Sequence, residues 1–95
     1  MTEFVVELYV SKTNCAAIEA GWECLNRAAA ELAAEGKPVR LMRSIFVPED
    51  ETCFVLIEAT TAETAREIAR RAALPVERVV EATVDLTNSD EREKT

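Results

Sequence analysis

The segment that decides the fold is a hairpin sequence, VRLMRSIFVPEDETCFVLIEA, at residues 39–59. Two runs rich in β-branched and aromatic residues, Val39–Val47 and Thr52–Ala59, flank the turn-forming sequence Pro48–Glu51. Strand-forming residues on both sides of such a turn are typical of a β-hairpin. We therefore predict two antiparallel strands here and expect the remaining elements to pack around them.

On the amino-terminal side of the hairpin, the sequence predicts one strand and one helix. Side chains alternate in period two over Phe4–Val10, which is typical of a strand. After the N-cap-type residues 11–14, apolar residues recur at steps of three and four until Gly36 and Pro38 end the pattern. We expect the following positions to form the buried stripe of a long amphipathic helix: Cys15, Ile18, Trp22, Leu25, Ala29 and Leu32.

On the carboxy-terminal side, the sequence predicts a second helix and a last strand. Thr60 and Glu63 have the spacing of a capping box, which predicts a helix with Thr60 as its N-cap that runs to about Ala73. Leu74–Pro75 ends this helix, and Val79–Leu86 is predicted as the fourth strand.

The predicted order of elements is strand, helix, strand, strand, helix, strand. With right-handed crossovers, this order gives an α+β domain of ferredoxin-like βαββαβ fold. Its four-stranded antiparallel sheet has the strand order 4-1-3-2 and carries both helices on one face. We assign this single domain to residues 1–87 and a flexible polar tail, NSDEREKT, to residues 88–95.

Composition excludes several classes of chemistry and partner. The 95 residues include 11 Lys and Arg against 18 Asp and Glu, a net charge of -7, which disfavours nucleic acid and anionic membranes as partners. The chain has no histidine, which removes Ser-His-Asp and Cys-His catalytic machinery. It starts without a basic signal region, and its three cysteines lack disulfide or zinc spacing. We therefore expect reduced thiols in the cytoplasm.

The alternation of the strands predicts an apolar surface on the side of the sheet that carries no helix, called the open face below. Glu58 is placed there because a carboxylate beneath a helix would need a buried partner. A second copy of the chain is expected to cover this face in a homodimer. The residues expected on it are Val5, Glu7, Tyr9, Phe54, Leu56 and Glu58, with either Leu41, Arg43 and Ile45 or Met42, Ser44 and Phe46 from the second strand.

Four side chains of the open face form the candidate ligand site: Glu7, Tyr9, Arg43 and Glu58. Glu7 and Glu58 belong to neighbouring strands of the predicted sheet, so their carboxylates are expected close together. Such a pair can hold a hard cation or serve in acid–base chemistry, and Arg43 would neutralise one member. The alternative is a salt-bridge cluster that fixes the register of the dimer. No catalytic residue is assigned.

Three further side chains have a structural and a functional interpretation. Cys15 is expected on the buried stripe of the first helix, and Cys53 is expected to face the helices, so packing is the favoured role for both. Cys24 is expected to be partly exposed and is the best candidate for a reactive thiol. Trp22 is interpreted as a core residue rather than as part of a pocket.

Several short sequences carry a resemblance to a known family. They are Arg43-Ser44 in the second strand, Cys53 and Glu58-Ala59 in the third, and Ala72-Ala73-Leu74-Pro75 after the second helix. Over residues 4–84, the chain resembles a domain-of-unknown-function family of small ferredoxin-like proteins that includes a nickel-responsive, nickel-binding protein. The resemblance implies an acidic position in the first strand, which Glu7 occupies, and Ala73 stands where the family has glycine.

The resemblance implies a divalent metal ion as cofactor or ligand. In this chain, the candidate metal ligands are Glu7 and Glu58 of the open face, joined by Tyr9; the alternative donors are cysteine thiolates. Nickel favours imidazole and thiolate donors, so a chain without histidine is expected to bind it weakly. We expect a non-enzymatic small-molecule- or metal-ion-binding protein with its site on the open face or at the dimer interface. The alternatives are a dimeric α/β-barrel enzyme of monooxygenase or isomerase type, which the lack of histidine disfavours, and a structural protein-interaction module.

Overall fold

The computed structural model describes residues 1–83. Its elements are β1 (Thr2–Tyr9), α1 (Ala16–Ala34), β2 (Val39–Val47), a short 3-10 turn (Pro48–Asp50), β3 (Thr52–Ala59), α2 (Ala62–Ala72) and β4 (Val76–Ala82). The predicted tail, residues 88–95, and the end of the predicted last strand, residues 84–86, lie outside the described residues. No helix within residues 1–83 is long and apolar enough to span a lipid bilayer.

The strands form one antiparallel sheet in the order β2-β3-β1-β4, which confirms the predicted ferredoxin-like fold and its strand order. The last strand starts three residues earlier than predicted, at Val76 rather than at Val79. The reason is that the chain re-enters the sheet directly after the proline, where the backbone N–H of Tyr9 donates to the carbonyl of Pro75 at 3.0 Å.

The core lies between the helices and one face of the sheet. The structure confirms which side chains of β1 and β3 were predicted to face the helices. Alternate residues of both strands are buried beneath the helices, and Glu58 lies on the other face. Burial of this apolar surface is the main force that holds the helices on the sheet. The buried core residues of the two central strands are Phe4, Val6, Leu8, Cys53, Val55, Ile57 and Ala59.

The buried stripe of α1 differs from the prediction. Gly21 and Ala28 are buried, whereas Trp22 is only half-buried. Cys15 is exposed and precedes the first helical residue, so its predicted burial is wrong. Hydrophobic periodicity assigns burial to large side chains and therefore misses Gly21, where an added Cβ would lie 3.5 Å from a methyl carbon of Leu74. At the other end of α1, the predicted left-handed glycine is confirmed by the φ of +80° at Gly36.

The N-cap of α2 is Thr61, one residue later than predicted. The Thr61 hydroxyl accepts a hydrogen bond from the backbone N–H of Thr64 at 3.1 Å. The capping box predicted between Thr60 and Glu63 is therefore wrong, because the same spacing fits the next threonine and puts Thr64 at the third helical position. Glu63 remains in the first turn, where its charge is favourable to the helix dipole.

Ala73 ends α2 in the left-handed conformation, with φ 54° and ψ 39°. This backbone conformation costs alanine about 1 kcal/mol relative to glycine. We expect Ala73→Gly to stabilise the protein by about that amount, which for a domain of this size raises the thermal midpoint by about 4–8 °C. The matched control is Ala30→Gly at an exposed helical position of α1, where calorimetry should show a loss of about 1 kcal/mol. A lower midpoint for Ala73→Gly would contradict this account.

Arg71 links the end of α2 to the end of α1. Its guanidinium donates to the two carboxylate oxygens of Glu35 at 2.6 and 2.8 Å and to Glu67 at 2.9 Å. The hydrogen bonds from Arg71 lower the pKa of both Glu35 and Glu67 below the ordinary value of 4.5. The two carboxylates therefore stabilise the fold above that value, and the stabilisation is lost as the pH falls through their lowered pKa values.

Arg71→Met is therefore expected to lower the thermal midpoint at pH 7, and the difference from the wild type should shrink as the pH falls below 4.5 and through the lowered pKa values of Glu35 and Glu67. Thermal unfolding followed by circular dichroism at a series of pH values measures this. The control is Arg66→Met, an exposed arginine of α2 that makes no ion pair with any residue from 1 to 83. A difference that is independent of pH would contradict the assignment.

Candidate functional site

The open face carries its side chains in cross-strand rows. Residues that pair directly across antiparallel strands point to the same side of the sheet. Along the strand direction, the rows are Arg40, Glu58, Glu3 and Ala82; then Arg43, Leu56, Val5 and Val80; then Ile45, Phe54, Glu7 and Arg78. The middle row is apolar apart from Arg43, and the rows on either side of it contain charged residues.

A β-bulge in β2 decides which of its side chains reach the open face. The pairing register between β2 and β3 shifts between Leu41 and Arg43, so Met42 is an extra residue. Neither predicted set of three is therefore correct: Arg43 and Ile45 share the open face with Arg40, whereas Leu41, Ser44 and Phe46 pair opposite helix-facing residues of β3. The predicted alternation fails after Leu41 because the extra residue of the bulge reverses which side chains of β2 lie on the open face.

The predicted proximity of Glu7 and Glu58 is wrong. Glu7 lies opposite Phe54, and Glu58 lies opposite Glu3, so the two positions are four residues apart along β3. At the rise of a β-strand, this separation is about 13 Å. The reason is that β1 and β3 are antiparallel. Glu7 lies late in β1 and therefore pairs near the start of β3, whereas Glu58 lies near the end of β3.

Each of these two glutamates instead has an arginine partner on an edge strand. The Nε of Arg78 donates to the carboxylate of Glu7, and Nη1 of Arg40 lies 3.4 Å from Oε1 of Glu58. Arg43, which was expected to neutralise one carboxylate, lies opposite Leu56 and makes no ion pair with any residue from 1 to 83.

Tyr9 is the remaining member of the predicted site. It pairs opposite Thr52 at one end of the open face, and 49% of it is exposed. The four predicted site residues thus share the open face but do not form one cluster.

Glu3 is the site residue that sequence reasoning missed. It pairs directly opposite Glu58, a geometry that brings the two Cβ atoms to about 5 Å. Its Oε2 atom is buried and has no hydrogen-bond partner among residues 1–83. The alternation that placed Glu7 on the open face also includes Glu3, but the strand was predicted to begin at Phe4. The two glutamates that pair across β1 and β3 are therefore Glu3 and Glu58, and they lie at the opposite end of the open face from Tyr9.

The Glu3–Glu58 pair offers hard oxygen donors for a cation. No group of three or more Asp, Glu, Cys or His side chains with metal-binding geometry occurs within the described part of the chain. Two carboxylates from one chain would hold a cation only together with water or with the same residues of a second copy.

The three cysteines differ strongly in their surroundings. Cys53 is buried in the core, and burial raises the pKa of its thiol. Cys24 is half-buried, in agreement with the predicted partial exposure, whereas Cys15 is exposed. Cys15 is therefore the most accessible thiol, a position that the sequence pattern assigned to Cys24.

Comparison with known proteins supports the fold. No protein-family model matches the chain, and none of the curated proteins matches it. Among solved structures, the chain is similar to the crystal structure of SCO4226 from Streptomyces coelicolor A3(2), with a TM-score of 0.72 and 13% sequence identity. The similarity covers 87% of this chain and 98% of that chain. At this identity, the likeness shows the shared fold alone.

Proposed function

We propose that the chain is a non-enzymatic binding protein for a divalent cation, and that it works as a homodimer with its site where two open faces meet. The observation that carries this proposal is the Glu3–Glu58 pair, in which two glutamates lie directly opposite each other on neighbouring strands and one buried oxygen of Glu3 has no hydrogen-bond partner in residues 1–83. An unpaired buried carboxylate oxygen is costly in a folded protein, and a bound cation would satisfy it.

The composition of the open face supports the dimer. Its central row is apolar apart from one arginine, and Ile45 in the next row is 53% exposed. A second copy would remove these side chains from water. A carboxylate of that copy would also supply a partner for Arg43, which makes no ion pair within residues 1–83. An exposed apolar centre and an unpaired charge both fit an isologous interface, in which the two copies use the same surface.

The donor set favours a hard cation over nickel. Carboxylate oxygens suit magnesium, calcium and manganese, and a two-fold dimer would bring together two copies of Glu3 and of Glu58. Nickel, the metal implied by the family resemblance, prefers imidazole or thiolate donors, and this chain has no histidine. The proposed ligand is therefore a cation held by oxygen atoms.

The proposed compartment is the cytoplasm. Cys15, Cys24 and Cys53 are free thiols, which a reducing compartment preserves. In an oxidising compartment, the exposed Cys15 would be open to intermolecular disulfide formation.

Calorimetric titration with manganese, calcium and nickel tests the proposal. We expect saturable binding of manganese or calcium by the wild type and at least about a tenfold loss of affinity in Glu3→Gln, which keeps the shape but removes a charged ligand. The matched control is Glu7→Gln, which alters the same strand and face but lies in the row of Arg78. Its cation affinity should be unchanged.

Two results would contradict the proposal. Equal loss of cation binding in the Glu3 and Glu7 variants would mean that overall charge, rather than the pair, attracts the cation. Submicromolar nickel binding that disappears on Glu7→Ala would place the metal at Glu7, the acidic position implied by the resemblance.

The stability of Glu3→Gln separates loss of a ligand from loss of the fold. Glu3 and Glu58 repel each other, so Glu3→Gln should be at least as stable as the wild type.

A further inference from the structure

An apolar cavity lies on the helix side of the sheet, away from the open face. Its volume is about 80 Å³. It occupies the space between the first half of α1 and the ends of the central strands. The side chains that form its wall include Leu8, Val10, Trp22, Leu25, Val55 and Leu74.

The cavity exists because α1 presents small residues at this point. Ala17 and Gly21 lie one turn apart and both line the cavity. An ideal Cβ on Gly21 would lie 3.5 and 3.7 Å from the two terminal carbons of Leu74, which is ordinary contact distance. Larger side chains at these two positions would fill the space. Protein interiors are normally close-packed, so a gap of this size beside a tryptophan is a feature that needs an explanation.

The mouth of the cavity carries two polar side chains, Ser44 and Glu19. Ile18, Trp22 and Ser44 line both the cavity and a wider surface depression, in which Cys15 and Glu19 complete the rim. The Glu19 carboxylate makes this rim acidic, in keeping with the net charge of -7. A bound molecule would therefore meet apolar walls inside and a hydroxyl and a carboxylate outside.

We propose that this cavity binds a small amphiphile whose short aliphatic end inserts beneath Trp22 and whose neutral or cationic head group lies at the Ser44–Glu19 rim. An apolar cavity of about 150 Å³ accepts benzene, so 80 Å³ accommodates about three to four carbon atoms. The acidic rim disfavours an anionic head group. This site is independent of the cation site proposed on the open face.

Fluorescence titration tests the proposal directly, because Trp22 is the single tryptophan of the chain. The probes are straight-chain primary amines from ethylamine to hexylamine. We expect a saturable blue shift of the emission, and the Kd should fall about fourfold for each added methylene group up to butylamine. Beyond butylamine the Kd should level off, since further carbons leave the enclosed space. Butan-1-ol should also bind, and butanoate should bind several-fold more weakly than butylamine.

Variants that fill the cavity are expected to abolish the response. Ala17→Leu places additional carbons in the enclosed space, and Gly21→Ala is a milder filling variant that serves if the larger change prevents folding. The control is Ala30→Leu, the same change at an exposed position of α1 outside the cavity lining, which should bind butylamine as the wild type does. Glu19→Gln should reduce the difference between butylamine and butanoate.

Two outcomes would overturn the proposal. The first is a wild type that shows no saturable response to any of the amines, together with a higher thermal midpoint for a filling variant; the cavity would then be a packing defect. The second is equal butylamine affinity in the wild type and in a folded filling variant, which would place the amine elsewhere on the protein.

Discussion

Leu56→Arg is expected to give a monomer of about 10.5 kDa in light scattering at concentrations at which we expect the wild type to scatter as the proposed dimer, with twice that mass. Leu56 occupies the middle row of the open face, between Val5 and Arg43. A two-fold interface would receive one added guanidinium from each copy, and each would lose its water without gaining a partner. An uncompensated charge in an interface costs about 3 kcal/mol or more, which weakens dimerisation by at least about a hundredfold.

The control for this experiment is Ala20→Arg, which adds the same charge to an exposed position of α1 on the other side of the sheet. It should leave the mass unchanged. A wild type that remains monomeric at high concentration would contradict the dimer, and cation binding would then have to use Glu3 and Glu58 of a single chain. The scattering and titration experiments therefore separate the assembly from the ligand.

Labelling with an aromatic disulfide reagent is expected to resolve the three thiols into three phases. Cys15 is exposed and should react first, the half-buried Cys24 should follow, and the buried Cys53 should be slowest. Burial both shields Cys53 and raises the pKa of its thiol, which lowers the population of the reactive thiolate. Its reaction requires opening of the core, so it should be at least about a thousandfold slower than that of Cys15.

Cys15→Ser should remove the fast phase and leave the other two unchanged. In concentrated denaturant, all three thiols should react at one rate, which shows that the separation comes from the fold. A fast phase that survives Cys15→Ser and disappears in Cys24→Ser would restore Cys24 as the most reactive thiol, the role that the helical periodicity assigned to it.

Local pattern was enough to predict the order of elements and the buried face of the central strands. Alternation in β1 and β3 is regular, so Phe4 and Ile57 were placed correctly beneath the helices. The first residue of α2 was harder to predict, because Thr60 and Thr61 are neighbours and either hydroxyl can cap a helix. The conformation of Ala73 was predictable only through the family resemblance, since alanine itself gives no signal for a left-handed backbone.

The candidate site depended on information that local pattern does not contain. Pairing between β1 and β3 is not fixed by a turn, so spacing along the chain does not identify Glu3, rather than Glu7, as the partner of Glu58. In β2, the bulge at Met42 reversed the alternation without any glycine or proline to mark it. The cavity beneath Trp22 is present because Ala17 and Gly21 are small. Hydrophobic periodicity shows which positions are apolar, and it does not show where the space beside them is unfilled.

The bulge at Met42 also affects how readily the edge of the sheet can pair with another chain. β2 is a nine-residue edge strand, so one row of its backbone N–H and carbonyl groups is not used by the sheet. A straight edge of this length is a template for another chain, and each addition would expose a new template. The extra residue twists the edge, and Arg40 and Arg43 on either side repel an identical edge. The proposed two-fold contact through the open face would end at two copies, whereas contact through the edge would have no end.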